Sequence, residues 1–124
     1  MREHITFGFV GIGLIGGSVA KALRRVYPSC KIIVYNRSAE PRVMAINDGT
    51  ANVAVPQVDK TFNECDYIFL CTPVEKNVEY LKILKDIIKD DCIITDVGSV
   101  KGNIHKAVEE LGLKKNFIGG HPMA

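Results

Sequence analysis

A chain of 124 residues is long enough for one domain with its own core, able to bury roughly two-thirds of the surface its unfolded form exposes. Apolar residues make up 47% and charged residues 24%, and the formal net charge is +2 with acids and bases interleaved, so no nucleic-acid or acidic-membrane partner is implied. No apolar run approaches the roughly 18 residues of a membrane span, Met1-Arg2-Glu3-His4 carries no signal-peptide core, and Cys30, Cys65, Cys71 and Cys92 lack a CxxC spacing, which reads as reduced, mostly structural thiols of a cytoplasmic protein.

Ile5 to Val10 is an apolar run that leads into Gly11-x-Gly13-x-x-Gly16, and an amphipathic segment follows at once. That order is the strand, tight turn and helix start of a dinucleotide-binding βαβ unit. Gly11 allows the sharp turn, Gly13 lets a pyrophosphate approach the backbone, and Gly16 lets the helix lie close to the strand. With Leu14 and Ile15 between them, these residues are expected to hold the phosphates at a helix N-terminus. A glycine turn that serves tight packing alone is the competing reading. The first helix is expected from Leu14 to Tyr27, with Ile15, Val19, Leu23 and Val26 on its buried face and Pro28-Ser29 at its end. Lys31 to Tyr35 forms a second strand, and Ser38 stands as N-cap of a helix through Asp48, stopped by Gly49. Asn52 to Val55 reads as a short third strand, an outer one because Pro56 follows. Thr61-x-x-Glu64 has the form of a capping box.

Tyr67 to Cys71 is a near-continuous apolar run, as expected of a central parallel strand buried on both faces. Thr72 as N-cap, Pro73 in the first helical position and Glu75 completing a capping box open a helix striped by Val78, Leu81, Leu84 and Ile88. Cys92 to Thr95 is a fifth strand. Asp96-Val97-Gly98-Ser99 turns into a helix with Ile104, Val108 and Leu111 on one face and Gly112 as its stop, and Phe117 to Gly119 begins a sixth strand. The alternation calls for an α/β, Rossmann-type fold: a doubly wound, mostly parallel sheet with helices on both faces and right-handed crossovers, in one NAD(P)-binding domain over residues 1–124.

In such sheets ligands bind beyond the carboxyl ends of the strands. Gly11–Gly16, Asn36–Ser38, Cys71–Val74, Asp96–Ser99 and Gly119–Pro122 all follow strands and are expected to face one crevice. Cys71, Thr72, Pro73 and Val74 are expected to border the nicotinamide end, although Thr72 also reads simply as a helix cap. An acid about 20 positions past the glycines normally grips the ribose 2′-hydroxyl of NAD. Here that position is Asn36, which still forms hydrogen bonds but has no charge to repel a 2′-phosphate. Arg37 and Ser38 are both able to contact such a phosphate, and Arg37 equally suits stacking on adenine, so the local chemistry leaves NAD and NADP open.

His121, in Gly119-Gly120-His121-Pro122, follows a strand on the ligand side; a neutral imidazole there accepts a proton from an alcohol as hydride leaves the same carbon. A histidine that only caps a strand end is the plainer alternative. Ser99, a favoured N-cap residue, also has the reach to hydrogen-bond an alcohol and that imidazole. Lys101, His4 and His105 read as solvated or structural. No G-x-S-x-G elbow and no metal-ligand spacing are present, so neither serine hydrolysis nor metal catalysis is supported.

Gly11-Ile12-Gly13-Leu14-Ile15-Gly16-Gly17-Ser18, then Asp96-Val97-Gly98-Ser99-Val100-Lys101, then Gly119-Gly120-His121-Pro122-Met123-Ala124 together resemble the prephenate/arogenate dehydrogenase family over the whole chain. Tyr35-Asn36-Arg37-Ser38 resembles the second-strand end of members that use NAD, which tips the cofactor expectation to NAD with NADP kept open. The resemblance implies oxidative decarboxylation of prephenate to 4-hydroxyphenylpyruvate in tyrosine biosynthesis, with His121 taking or polarising the 4-hydroxyl proton and Ser99 orienting both. It also implies a further helical domain that makes the family homodimeric and binds the substrate carboxylates. The chain stops three residues after His121, so it is expected to represent the nucleotide-binding half alone.

Overall fold

The computed structural model describes residues 4–97 and 104–119. Six strands form one parallel sheet: β1 (Thr6–Val10), β2 (Lys31–Tyr35), β3 (Val53–Val55), β4 (Tyr67–Leu70), β5 (Ile93–Asp96) and β6 (Phe117–Gly119), in the order β3-β2-β1-β4-β5-β6. All five pairings are parallel. The chain runs outward from β1 through β2 to β3, then returns to the other side of β1, which puts a topological switch point between β1 and β4.

Four helices connect the strands: α1 (Leu14–Val26), α2 (Ala39–Asn47), α3 (Val74–Leu84) and α4 (Ile104–Glu110), with a 3-10 turn at Lys60–Glu64. Because β-strands twist with one hand, crossovers in opposite directions cover opposite faces. Ala20 of α1 and Ala45 of α2 pack with Phe7, Phe9, Ile32 and Val34 on one face. Leu81 and Leu84 of α3, and Ile104 and Val108 of α4, pack with Val10, Ile33, Ile68, Leu70 and Ile94 on the other. Phe9, Ile68, Leu70 and Ile94 are fully buried, as strands covered on both sides require.

The expected strands all form. The buried face of α1 differs from the expected stripe. Gly16 and Ala20 face the sheet, Val19 and Leu23 are half-buried, and Ile15 and Val26 are 56% and 66% exposed. Helical periodicity fits either rotation; the close approach of Gly16 to the turn selects this one. Two expected caps also differ. Asp59, not Thr61, caps the 3-10 turn: its Oδ1 accepts the Thr61 N–H at 2.9 Å, while Glu64 pairs with Lys31 at 3.1 Å instead of reaching back. Pro73 is the N-cap of α3, one residue ahead of the first helical position, and Thr72 is not the cap. At α2, Ser38 holds the cap position without a side-chain cap bond.

Arg24 ties α1 to the sheet. Its guanidinium donates to the carbonyls of Cys30 (2.6 Å) and Thr50 (3.1 Å) and to Asn52 Oδ1 (2.7 Å). At the amino-terminal edge, Asp66 accepts the Thr6 N–H at 2.8 Å and pairs with Lys89 at 2.6 Å. On the α1 side, past α1, Phe69 of β4, Thr95 of β5 and Ile118 of β6 lie in paired register, and Tyr67 pairs with Ile93; Tyr67 is 42% and Ile118 58% exposed.

Gly8, in the middle of β1, has no room for a methyl group. A Cβ there would lie 2.7 Å from Cys65 Sγ and 2.9 Å from the Phe62 ring, both fully buried. Overpacking of this kind costs about 1–3 kcal/mol. Gly8→Ala is therefore expected to lower the unfolding free energy by that amount, read as a lower urea midpoint at unchanged m-value in equilibrium denaturation.

Candidate functional site

The register brings the expected ligand-side segments into one row. Val10 pairs with Tyr35 and with Leu70, Leu70 with Asp96, and Asp96 with Gly119. Backbone bonds carry the alignment one residue further: Gly11 N–H donates to Tyr35 O at 2.9 Å, Cys71 N–H to Val10 O at 2.9 Å, and Val97 N–H to Leu70 O at 3.1 Å. Gly11, Asn36, Cys71 and Val97 thus begin the loops of one crevice. His121, Ser99 and Lys101 lie outside the described residues.

The glycine turn is shaped by contact and by space. Gly11 has φ +89°, and a Cβ there would fall 2.6 Å from the Thr72 methyl. At Gly16 a Cβ would meet Cys71 Sγ and Gly11 O, each at 3.1 Å. Gly13 is different: a Cβ there meets no protein atom within 4 Å, so the missing side chain leaves an open cradle over the backbone. Beyond it α1 starts with no side-chain cap and no acid in its first turn, and Leu14 is 90% exposed. Free N–H groups at the positive end of a helix, with open space above them, fit a pyrophosphate.

Asn36 occupies the expected position with an unexpected partner. Its Oδ1 accepts the Ile12 N–H at 3.1 Å, and its Nδ2 donates to Ser38 O at 3.4 Å. The residue therefore fastens the end of β2 to the glycine turn. Arg37 and Ser38 are exposed beside it. Arg42, from the first turn of α2, donates through Nη1 to Asn36 O at 2.7 Å and Arg37 O at 3.2 Å. Its place six residues past Asn36 gives no motif, so sequence reasoning missed it; only the helix turning back over the strand end reveals it.

On the other side of the turn, Cys71 packs against Gly16, and Thr72 donates its hydroxyl to Asn77 Oδ1. Asn77 is fully buried in α3, and its Nδ2 has no hydrogen-bond partner among the described residues. Pro73 is exposed, and α3 begins at Val74. Burial, reinforced by the Asp96 charge, pushes the Cys71 thiol up to about 12, so it stays protonated and unreactive. His105 is exposed, edge-on to Phe117 at 5.9 Å, in keeping with a structural role.

The arrangement is an open space over Gly13 at the start of α1, a hydrogen-bonded loop at the end of β2 and the aligned ends of β4 and β5 beside them. Residues 19–124 match the family described as prephenate dehydrogenase, nucleotide-binding domain. The chain belongs to that family.

Prephenate dehydrogenase from Lactococcus lactis is 37% identical over 118 residues, covering 93% of this chain and 33% of its own length. Prephenate dehydrogenase from A. aeolicus, in complex with hydroxyphenyl propionate and NAD+, superimposes with a TM-score of 0.86 at 35% identity, covering 96% of this chain and 42% of that one. Synechocystis arogenate dehydrogenase superimposes with a TM-score of 0.81 at 31% identity, covering 93% of this chain and 40% of that one. The chain thus spans between a third and about two-fifths of these relatives, and it is a nicotinamide-dinucleotide-binding domain of this family.

Two outcomes test the site. Gly13→Ala is expected to weaken dinucleotide binding by more than about tenfold, because the methyl group fills the cradle, while moving the unfolding midpoint less than Gly8→Ala does; calorimetric titration and denaturation measure the two effects. Burial also pushes the Cys92 thiol up to about 12 and raises that of Cys65 above its ordinary value. The unfolded thiols ionise near pH 9 and the folded ones do not, so stability is intact below about pH 9 and falls as pH rises toward about 12, by up to about 1.4 kcal/mol per pH unit for each thiol. Urea midpoints at about pH 8 and about pH 10 read that loss.

Proposed function

We propose that this chain is the cofactor-binding half of a prephenate dehydrogenase, acting in the oxidative decarboxylation of prephenate to 4-hydroxyphenylpyruvate on the way to tyrosine. The observation that carries the reading is the likeness to the A. aeolicus enzyme, whose complex holds NAD+ and hydroxyphenyl propionate. The Gly119-Gly120-His121-Pro122 motif of the sequence supports it, and its first residue, Gly119, pairs with Asp96 in the row that runs through Leu70 to Val10. When bound, the nicotinamide takes up the hydride from the ring carbinol carbon of the substrate.

The chain's own residues supply the rest. Gly11, Gly13 and Gly16, with Leu14 and Ile15, hold the pyrophosphate at the start of α1. Asn36, Arg37 and Ser38 receive the adenosine ribose. Cys71, Thr72, Pro73 and Val74 border the ring that accepts hydride. His121 accepts the proton of the 4-hydroxyl, and Ser99 hydrogen-bonds both that hydroxyl and the imidazole, so that the proton leaves as hydride departs. The substrate carboxylates are bound by the part of the family protein that this chain does not share with its relatives, a helical domain that also makes the whole protein a cytoplasmic homodimer.

The likeness to Synechocystis arogenate dehydrogenase supports a second reading, in which arogenate is the substrate. Steady-state oxidation of prephenate and of arogenate by the full-length protein separates the two. In that context His121→Asn is expected to lower kcat by roughly 10²–10⁴-fold with little change in dinucleotide affinity. An unchanged kcat would remove His121 from the proton transfer, and no turnover of either substrate by the unaltered full-length protein would leave a dinucleotide-binding module without chemistry. The isolated chain is expected to bind the dinucleotide and to turn prephenate over poorly or not at all.

A further inference from the structure

We propose that Asn77 is a positioning residue for dinucleotide binding: it holds the Thr72 side chain with its hydroxyl turned into α3 and its methyl against Gly11, and so fixes the shape of the glycine turn. The inference rests on the reading that this turn receives a dinucleotide. It adds to the residues that hold the ligand one that is buried away from it.

Asn77 stands where the helix pattern calls for an apolar side chain. Asn77, Leu81 and Leu84 follow one another along one face of α3, and all three are fully buried. The asparagine adds little to the helix itself. Its backbone N–H bonds to Pro73 O at 2.9 Å, as that of any residue would, and the N-cap is Pro73. Its Nδ2 is buried with no hydrogen-bond partner among the described residues, which destabilises the folded state. A leucine in this place would avoid that cost, so fold stability does not account for the asparagine.

What Asn77 does carry is the Thr72 hydroxyl, which donates to its Oδ1. Thr72 is half-buried at the edge of the crevice, directly after Cys71. A threonine side chain has staggered positions about χ1 among which hydroxyl and methyl exchange places. A hydroxyl without an internal acceptor would turn to the water of the crevice and carry the methyl off Gly11. With the hydroxyl held by Asn77, the methyl stays so near Gly11 that a Cβ on that glycine would lie 2.6 Å from it. On its other side Gly11 is held by its N–H bond to Tyr35 O at 2.9 Å. The turn is thus clamped between a backbone bond and an oriented methyl group, and only the second depends on a rotamer. A buried acceptor that sets this rotamer at a cost in stability fits a residue kept for the geometry of the turn.

Calorimetric titration with NAD and with NADP, beside urea denaturation, tests the proposal. Asn77→Leu removes the acceptor and is expected to weaken binding of the preferred dinucleotide by about five- to tenfold, whatever it does to the urea midpoint. Thr72→Ser keeps the hydroxyl bond and removes the methyl, and is expected to weaken binding by a similar factor. The double variant is expected to bind within about twofold of either single one, because both act through one methyl group; independent effects would multiply. Asn77→Asp keeps an acceptor for Thr72 and puts a carboxyl in a buried place. Its affinity is expected within about twofold of the unaltered chain although its midpoint falls. A role in stability alone would instead make affinity follow the midpoint across the series. That outcome, multiplying effects in the double variant, or an Asn77→Leu affinity within about twofold of the unaltered chain overturns the inference and leaves the dinucleotide reading standing. Failure of the unaltered chain to bind either dinucleotide overturns both.

Discussion

The turn at Gly11 has no slack. The Thr72 methyl occupies the space a side chain would need there, and Gly16 packs on Cys71 with a few tenths of an ångström more room. These contacts press the first loop of the sheet against the fourth, and the rest of the site follows. α1 must present Gly16 and Ala20 to the sheet, so its larger residues lie to the sides and its amino-terminal N–H groups point up into the crevice. Thr72 must lie flat over the turn, which directs its hydroxyl to Asn77 inside α3. Close packing at one corner thus sets the direction of a helix on each face of the sheet.

The same corner is braced from the opposite side. Asn36 reaches from β2 to the Ile12 amide, a bond between residues distant in the chain and adjacent in the sheet. The glycine turn is therefore held between the ends of β2 and β4, the strands that flank β1. A ligand that lies along this row meets a surface already organised, which reduces the ordering it must impose on binding.

Much of this was legible in the sequence. The six strands, their alternation with helices, and the glycine turn follow from periodicity and from punctuation by glycine and proline, which are local signals. The rotation of α1 was not legible, because Ile15, Val19, Leu23 and Val26 satisfy a helical stripe as well as Gly16 and Ala20 do; sterics across the sheet decide between them. The caps at Asp59 and Pro73 were displaced by a residue or two because several neighbours can each cap, and the backbone chooses. The role of Asn36 was half-visible: its position marked the ribose end, but its bond to Ile12 depends on two strands lying side by side. Arg42 and Asn77 carried no motif, since each acts through one long-range hydrogen bond. His121 and Ser99, read from the sequence as the chemical residues, lie outside the described part of the fold.

The sheet surface past α1 has a consequence for the domain as a solute. Phe69, Thr95 and Ile118 form a largely apolar row, with Tyr67, Val26 and Tyr27 exposed on the same sheet or beside it. The net charge is only +2, so two copies approaching through this row meet little electrostatic repulsion. Added salt screens that charge and, for strongly hydrated anions, favours apolar contact. An exposed apolar strip of this kind is a surface through which copies of a domain associate, and it ends one residue short of the Asp96 and Gly119 row.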